Sequence, residues 1–163
     1  MLPRHDTTHQ FRELDPFAGC STKELEFISQ LRTTITVDKG TVLARQGHRC
    51  LEFVAIVHGV VEVMRDGEGI EHLGPRDHFG EIGIVRHVPN PATIVARTPM
   101  RLEVMSVPEF WSAYTVMPSM RDHIDREIDR RITTWLGRPL TATDTDRADG
   151  LTAAGSIGYT MAS

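Results

Sequence analysis

The chain has 163 residues, a formal net charge of −4 and 40% hydrophobic residues. That is one domain with a tail, burying roughly two-thirds of its unfolded surface. The charge leaves no basic field for nucleic acid, and no apolar run is long enough to span a bilayer.

Residues 1–16 are polar and uneven and are expected as a flexible N-terminal arm. The opening MLPRHDTTHQF lacks the apolar core of a signal peptide, so a cytoplasmic location is expected. Cys20 and Cys50 form no CxxC pair and read as separate reduced thiols. Ser21 and Glu24 make a capping box, and Leu25, Ile28 and Leu31 recur at helical spacing, which predicts a helix over 22–31. From Thr33 the period falls to two. Short strands follow around Ile35–Val37, Val42–Leu43, Leu51–Val57, Val60–Arg65 and Ile70–Leu73, with Asp66 to Gly69 as a hairpin turn. Arg101–Met105 alternates again. Many short strands with glycine turns argue for an all-β barrel or jelly roll.

The helical period returns after Ser106, where Ser106 and Glu109 form a second capping box and Pro108 sits in the first turn. Phe110, Trp111, Tyr114 and Met117 follow at helical spacing. Pro118–Ser119 restarts the helix, which carries Met120, Ile124, Ile128, Ile132 and Trp135 or Leu136 on one stripe. The stripe is expected to be buried, against the barrel or in a homodimer through this C-terminal helix. Asp122–Arg126 and Glu127–Arg131 read as favourable charge pairs one turn apart. Residues 139–163 hold few large apolar groups and are expected as a disordered tail, with 17–138 as the domain.

The stretch 71–96 is the functional candidate. In Phe79-Gly80-Glu81-Ile82-Gly83-Ile84 a glycine turn feeds a short helix, whose free N–H groups can hold an anion, while Glu81 can accept from sugar hydroxyls. A Pro89-Asn90-Pro91 corner then leads into extended Ala92–Ala96. The residues alone suggest a pocket for a phosphate carried on a sugar. His72 and His78 near Glu81 loosely resemble the metal-binding jelly rolls called cupins, but the paired His-x-His is absent and no metal is expected. No Ser/His/Asp or Cys/His set has catalytic spacing.

These blocks resemble the cyclic-nucleotide-binding domain, the β-roll of cAMP-receptor-protein-like transcription factors and kinase regulatory subunits. Lys39-Gly40-Thr41-Val42 with Arg45-Gln46-Gly47, the run Phe53–Val63, and Leu73-Gly74-Pro75 through Thr93 match in order over roughly residues 15 to 136. The resemblance implies a mainly β fold with flanking helices, a double-stranded β-helix (jelly-roll-like β-roll) with an N-terminal helix and C-terminal helices. It implies cAMP or cGMP as candidate ligand, with no other cofactor. Glu81 would accept from the ribose 2′-OH. Gly80 and the amides of Ile82 and Gly83 would open the cassette helix, and Thr93 would lie near the ligand, with Phe79 and Ala92 beside them. The family's phosphate-pairing arginine falls on Asn90, and the next donor falls on Pro91, which has no N–H. Arg86 is not a replacement. The expectation is a non-enzymatic signal-transduction module that binds weakly and acts through an unidentified output protein. The alternatives are a degenerate interaction module and a cupin-like metalloenzyme.

Overall fold

Chain reversals at glycine set the strands. In the computed structural model, which describes residues 7–144 and 160–161, Asp66 and Gly67 have φ of 52° and 83°. Two successive positive φ values close a two-residue hairpin whose twist matches its strands. The turn is therefore shorter than Asp66–Gly69, and the strand after it begins at Glu68 rather than Ile70.

The strands are β1 (Thr33–Val37), β2 (Val42–Ala44), β3 (Glu52–His58), β4 (Val61–Arg65), β5 (Glu68–Leu73), β6 (His78–Phe79), β7 (Thr93–Ala96), β8 (Met100–Ser106) and β9 (Thr160–Met161). They form two antiparallel sheets, ordered β6-β3-β8-β1-β9 and β2-β7-β4-β5. Ile35 faces Leu102 across β1 and β8, and Val63 faces Ile94 across β4 and β7. Both sheets send their buried positions into one core, so the fold is the expected mainly β roll.

The helices are α1 (Thr7–Arg12), α2 (Thr22–Gln30), α3 (Glu81–Arg86), α4 (Val107–Val116) and α5 (Pro118–Arg131), with a 3-10 turn at Asp15–Phe17 and a π-turn at Ile132–Leu136. Ser21 caps α2 by accepting from the Glu24 N–H, and Ser106 and Glu109 close a reciprocal box on α4. Met120, Ile124 and Ile128 of α5 are fully buried inside this one chain. The stripe is thus used on the domain itself, packed with the 3-10 turn, α4 and α3, and is not left for a symmetric partner.

Two expectations are corrected. From residue 7 onward the N-terminal segment is not a loose arm: Phe11 and Leu14 are buried, Phe11 meets Phe17 edge-on at 6.3 Å, and Arg32 sits 5.0 Å over the Phe11 ring. The apolar gain of docking two large side chains offsets the ordering cost that a polar reading emphasised. The tail is also structured in parts. Leu140 packs on the core, Asp144 forks onto Arg138, and Thr160 and Met161 pair with Thr36 and Ile35. The other large tail residues Leu151, Ile157 and Tyr159, which would have to dock for the tail to be ordered throughout, lie outside the described residues.

Candidate functional site

Two glycines seat α3 against β3. Gly80 has φ of 99°, and a Cβ there would lie 2.2 Å from the Glu52 carbonyl oxygen. A Cβ at Gly83 would lie 2.5 Å from Cys50 Cβ. Any side chain at either position would push the helix off the strand. The Cys50 sulfur lies 3.2 Å from the Gly80 oxygen and 3.5 Å from the Glu52 oxygen. The helix begins at Glu81, so Ile82 and Gly83 fall in its first turn, with the Ile82 side chain in the core.

Glu81 is 1% exposed and both its oxygens are occupied. Oε1 accepts from Arg131 Nη1 at 2.6 Å, and Oε2 lies 3.2 Å from His78 Nδ1. His78 Nε2 in turn lies 3.3 Å from His123 Nε2. Burial alone would raise the Glu81 pKa, but the Arg131 guanidinium and His78 beside it hold the carboxyl down to about 2. Glu81 is therefore ionised. His123 is pushed below its usual range, first by burial and then by His78. Arg131 is itself 1% exposed. Its Nε is 3.4 Å from Glu127 Oε2, near enough for charge attraction but poorly aligned for a hydrogen bond. A buried charge pair of this kind holds only because each ion supplies the other's missing solvation.

The π-turn completes the cover. The Trp135 ring lies 5.0 Å from the Arg131 guanidinium, and its Nε1 donates to the Glu71 carboxylate on β5. Beneath it, Phe79, Gly80, Glu81, Ile82, Gly83, Asn90, Pro91 and Ala92 converge, with Ala44 and Ile94, on a cavity of only about 20 Å³. That holds about one water, whereas ligand pockets run to about 300–1,000 Å³.

Thr93 is the expected site residue that does not line this cavity. Its hydroxyl accepts from the Gln46 N–H at 3.0 Å and fastens β7 to the loop after β2. Asn90 behaves as a turn residue: its side chain donates to the Arg45 carbonyl at 3.1 Å, and its backbone bonds to His48 and Gly47. Arg86 is turned away, 3.3 Å from Asp129 on α5. The Pro91 carbonyl instead accepts from Arg65 of β4.

Sequence reasoning missed Arg131, His123, Trp135 and Arg65 as parts of the site, and took His78 only as a rejected metal ligand. The signal for Arg131 was present. It lies three residues after Ile128 and four before Trp135, on the buried stripe. Among the described residues no three His, Cys, Asp or Glu side chains converge where a metal ion could sit, and no helix is long and apolar enough to cross a membrane.

A two-sheet antiparallel β-roll with flanking helices and a glycine-glutamate cassette is the architecture of cyclic-nucleotide-binding domains. The family model "Cyclic nucleotide-binding domain" matches residues 34–115, and the chain belongs to that family. The acetyltransferase Pat of Mycolicibacterium smegmatis is 29% identical over 127 residues, 76% of this chain and 38% of that protein. The chain thus spans well under half of the curated relatives it matches; for the cAMP-dependent protein kinase regulatory subunit of Schizosaccharomyces pombe, 30% identical over 84 residues and 51% of this chain, the share is 20%. Among solved structures, the regulatory subunit of a cAMP-independent protein kinase A from Trypanosoma brucei aligns with a TM-score of 0.69 at 18% identity, covering 74% of this chain and 44% of that one. A triple mutant of that subunit, carrying glutamate-to-alanine, threonine-to-arginine and valine-to-alanine changes, is bound to cAMP in its A site (TM-score 0.63, 17% identity, 75% of this chain and 50% of that one).

Proposed function

We propose that this chain is a non-enzymatic regulatory module whose cyclic-nucleotide site is held closed by its own C-terminal helix, so that cAMP or cGMP binds weakly. The observation that carries this reading is Glu81, whose two oxygens are taken by Arg131 and His78 over a cavity of about 20 Å³. A ribose hydroxyl must compete with a charge-assisted bond for the same carboxylate, and the base must displace Trp135. At the phosphate end, Asn90 offers an amide already committed to Arg45, and Pro91 offers no N–H. Binding is thereby coupled to release of the end of α5 from the roll, and that displacement is the signal a joined domain or partner protein reads. Relatives that carry an acetyltransferase or a kinase-regulatory function illustrate the kinds of output such a module governs.

Isothermal titration with cAMP and cGMP tests the reading, run on the natural chain and on the double variant Asn90→Arg with Pro91→Ala. Weak or absent heat for the natural chain and a clear gain for the variant support it. Tight binding by the natural chain overturns it. No binding by either protein favours an interaction module that uses no nucleotide.

A further inference from the structure

Beyond the Asn90–Pro91 corner, outside the closed cavity, lies a second depression of about 350 Å³. Its walls include Gln46, Arg65, Pro89, Leu136, Arg138 and Asp144. This is the size at which small-molecule sites begin.

Its cations are poised for an anion. Arg65 follows Val61 and Val63 on the inward face of β4, so alternation aims it at the mouth of the roll. It is mostly covered, with 22% of its side chain exposed. Its guanidinium donates to the Pro91 carbonyl, and the carboxylate recorded near it, Asp66, is 3.9 Å away, beyond hydrogen-bond reach. Arg65 is therefore a partly desolvated positive charge bonded to a neutral oxygen. Arg138, after the π-turn, already shows what its fork accepts: the two oxygens of Asp144 at 2.8 and 2.9 Å. Each guanidinium has a carboxylate near it, Asp66 at 3.9 Å from Arg65 and Asp144 on Arg138, so a doubly charged phosphate must out-compete two single charges. Leu136 and Pro89 supply an apolar wall for the body of a ligand. A guanidinium fork suits the tetrahedral oxyanion of a phosphate.

We propose that this cleft binds a small phosphorylated molecule with a flat or apolar body, its phosphate held by Arg65 and by Arg138 after displacement of Asp144. The cleft meets the closed cavity at Asn90 and Pro91 but makes no use of Glu81.

The test is an amide NMR titration of the full chain with AMP, and with adenosine as the phosphate-free control. AMP should move the resonances of Gln46, Gly47, Arg65 and Arg138 in the millimolar range or below, with adenosine at least about tenfold weaker. Arg65→Met and Arg138→Gln should each weaken AMP about tenfold, whereas Glu81→Gln should leave it within about twofold. Thermal melts establish that each variant is folded. Arg138 is 47% exposed, so its variant carries the test if Arg65→Met does not fold. The proposal is overturned if AMP moves none of these residues, if adenosine binds equally well, or if Arg138→Gln binds AMP unchanged. It is also overturned if the shifts fall on Gly80–Gly83 and vanish with Glu81→Gln. That last outcome would place the ligand in the closed cavity and count against the weak-binding reading as well.

Discussion

The two ends of the cassette are built on opposite terms. At the Glu81 end every polar atom of the carboxylate has a protein partner, and the network runs from β6 through α3 to α5. At the Asn90–Pro91 corner, seven residues downstream of Gly83, the chain offers a committed amide, a proline and a carbonyl that itself draws on Arg65. One end holds a full charge satisfied internally; at the other, Asn90 stands uncharged where the family pairs the phosphate, and the nearby Arg65 is turned onto the Pro91 carbonyl. A family glutamate is therefore not evidence of an available ribose site, because burial and pairing decide what a carboxylate can still accept.

The largest expected effect lies at the crowded end. Arg131→Met strands an ionised Glu81 and should cost about 3–5 kcal/mol in urea denaturation. Adding Glu81→Gln should restore much of that loss, since a pair removed together leaves no bare charge. A single-variant cost below about 1 kcal/mol would mean the pair is solvated like a surface bridge, and the contrast between the ends would collapse.

The next effect lies at the corner. Asn90→Arg with Pro91→Ala should tighten cyclic-nucleotide binding by roughly two to three powers of ten, from one charge-assisted bond and one recovered N–H. If calorimetry finds no gain, closure by Arg131 and Trp135 limits binding at both ends alike.

Acid should act at the Glu81 end. The folded Glu81 pKa, near 2, is below its ordinary 4.5, so its stabilisation is complete above about pH 4.5 and is lost as pH falls towards 2. His123 adds a smaller slope. Its folded pKa is depressed, so the folded state resists a proton that the unfolded chain takes near 6.5, and stability declines as pH drops through that value. Because His123 is partly exposed, less than about 1 kcal/mol is expected. Denaturation midpoints between pH 7.5 and 5 should slope in the natural chain and flatten in His123→Gln. A slope unchanged in that variant would assign it elsewhere.

At the corner, Asn90→Ala should cost about 1 kcal/mol from the lost bond to the Arg45 carbonyl. A thermal melt that shows several times this cost would make the corner as critical to the fold as the Arg131 pair.

Much of this was legible in the sequence, because local rules decided it. The N-cap at Ser21, the capping box at Ser106, the period-two strands and the Asp66-Gly67 reversal are short-range signals, and all lie where they were expected within a few residues. Eight of the nine expected site residues line one cavity because a contiguous motif carries its own geometry. The partners of Glu81 were not legible for the opposite reason. Arg131 is 50 residues away, and the Glu127–Arg131 spacing matched a surface pair well enough to hide its burial. Docking of Phe11 onto Phe17 and Arg32 likewise depends on a surface that exists only once the roll has closed.

The sulfur under the cassette gives these openings a clock. Cys50 lies between the Glu52 and Gly80 carbonyls, and burial pushes its thiol up to about 12, so the closed protein carries almost no thiolate there at neutral pH. Lifting α3 away from β3 would remove both the burial and the carbonyl contacts. Alkylation of Cys50 would then proceed mainly during such excursions, and its half-life against an unfolded reference would report how often the cassette comes off the sheet. A nucleotide that wedges the site open would speed that reaction, and one that seals it would slow it, with no attached probe required.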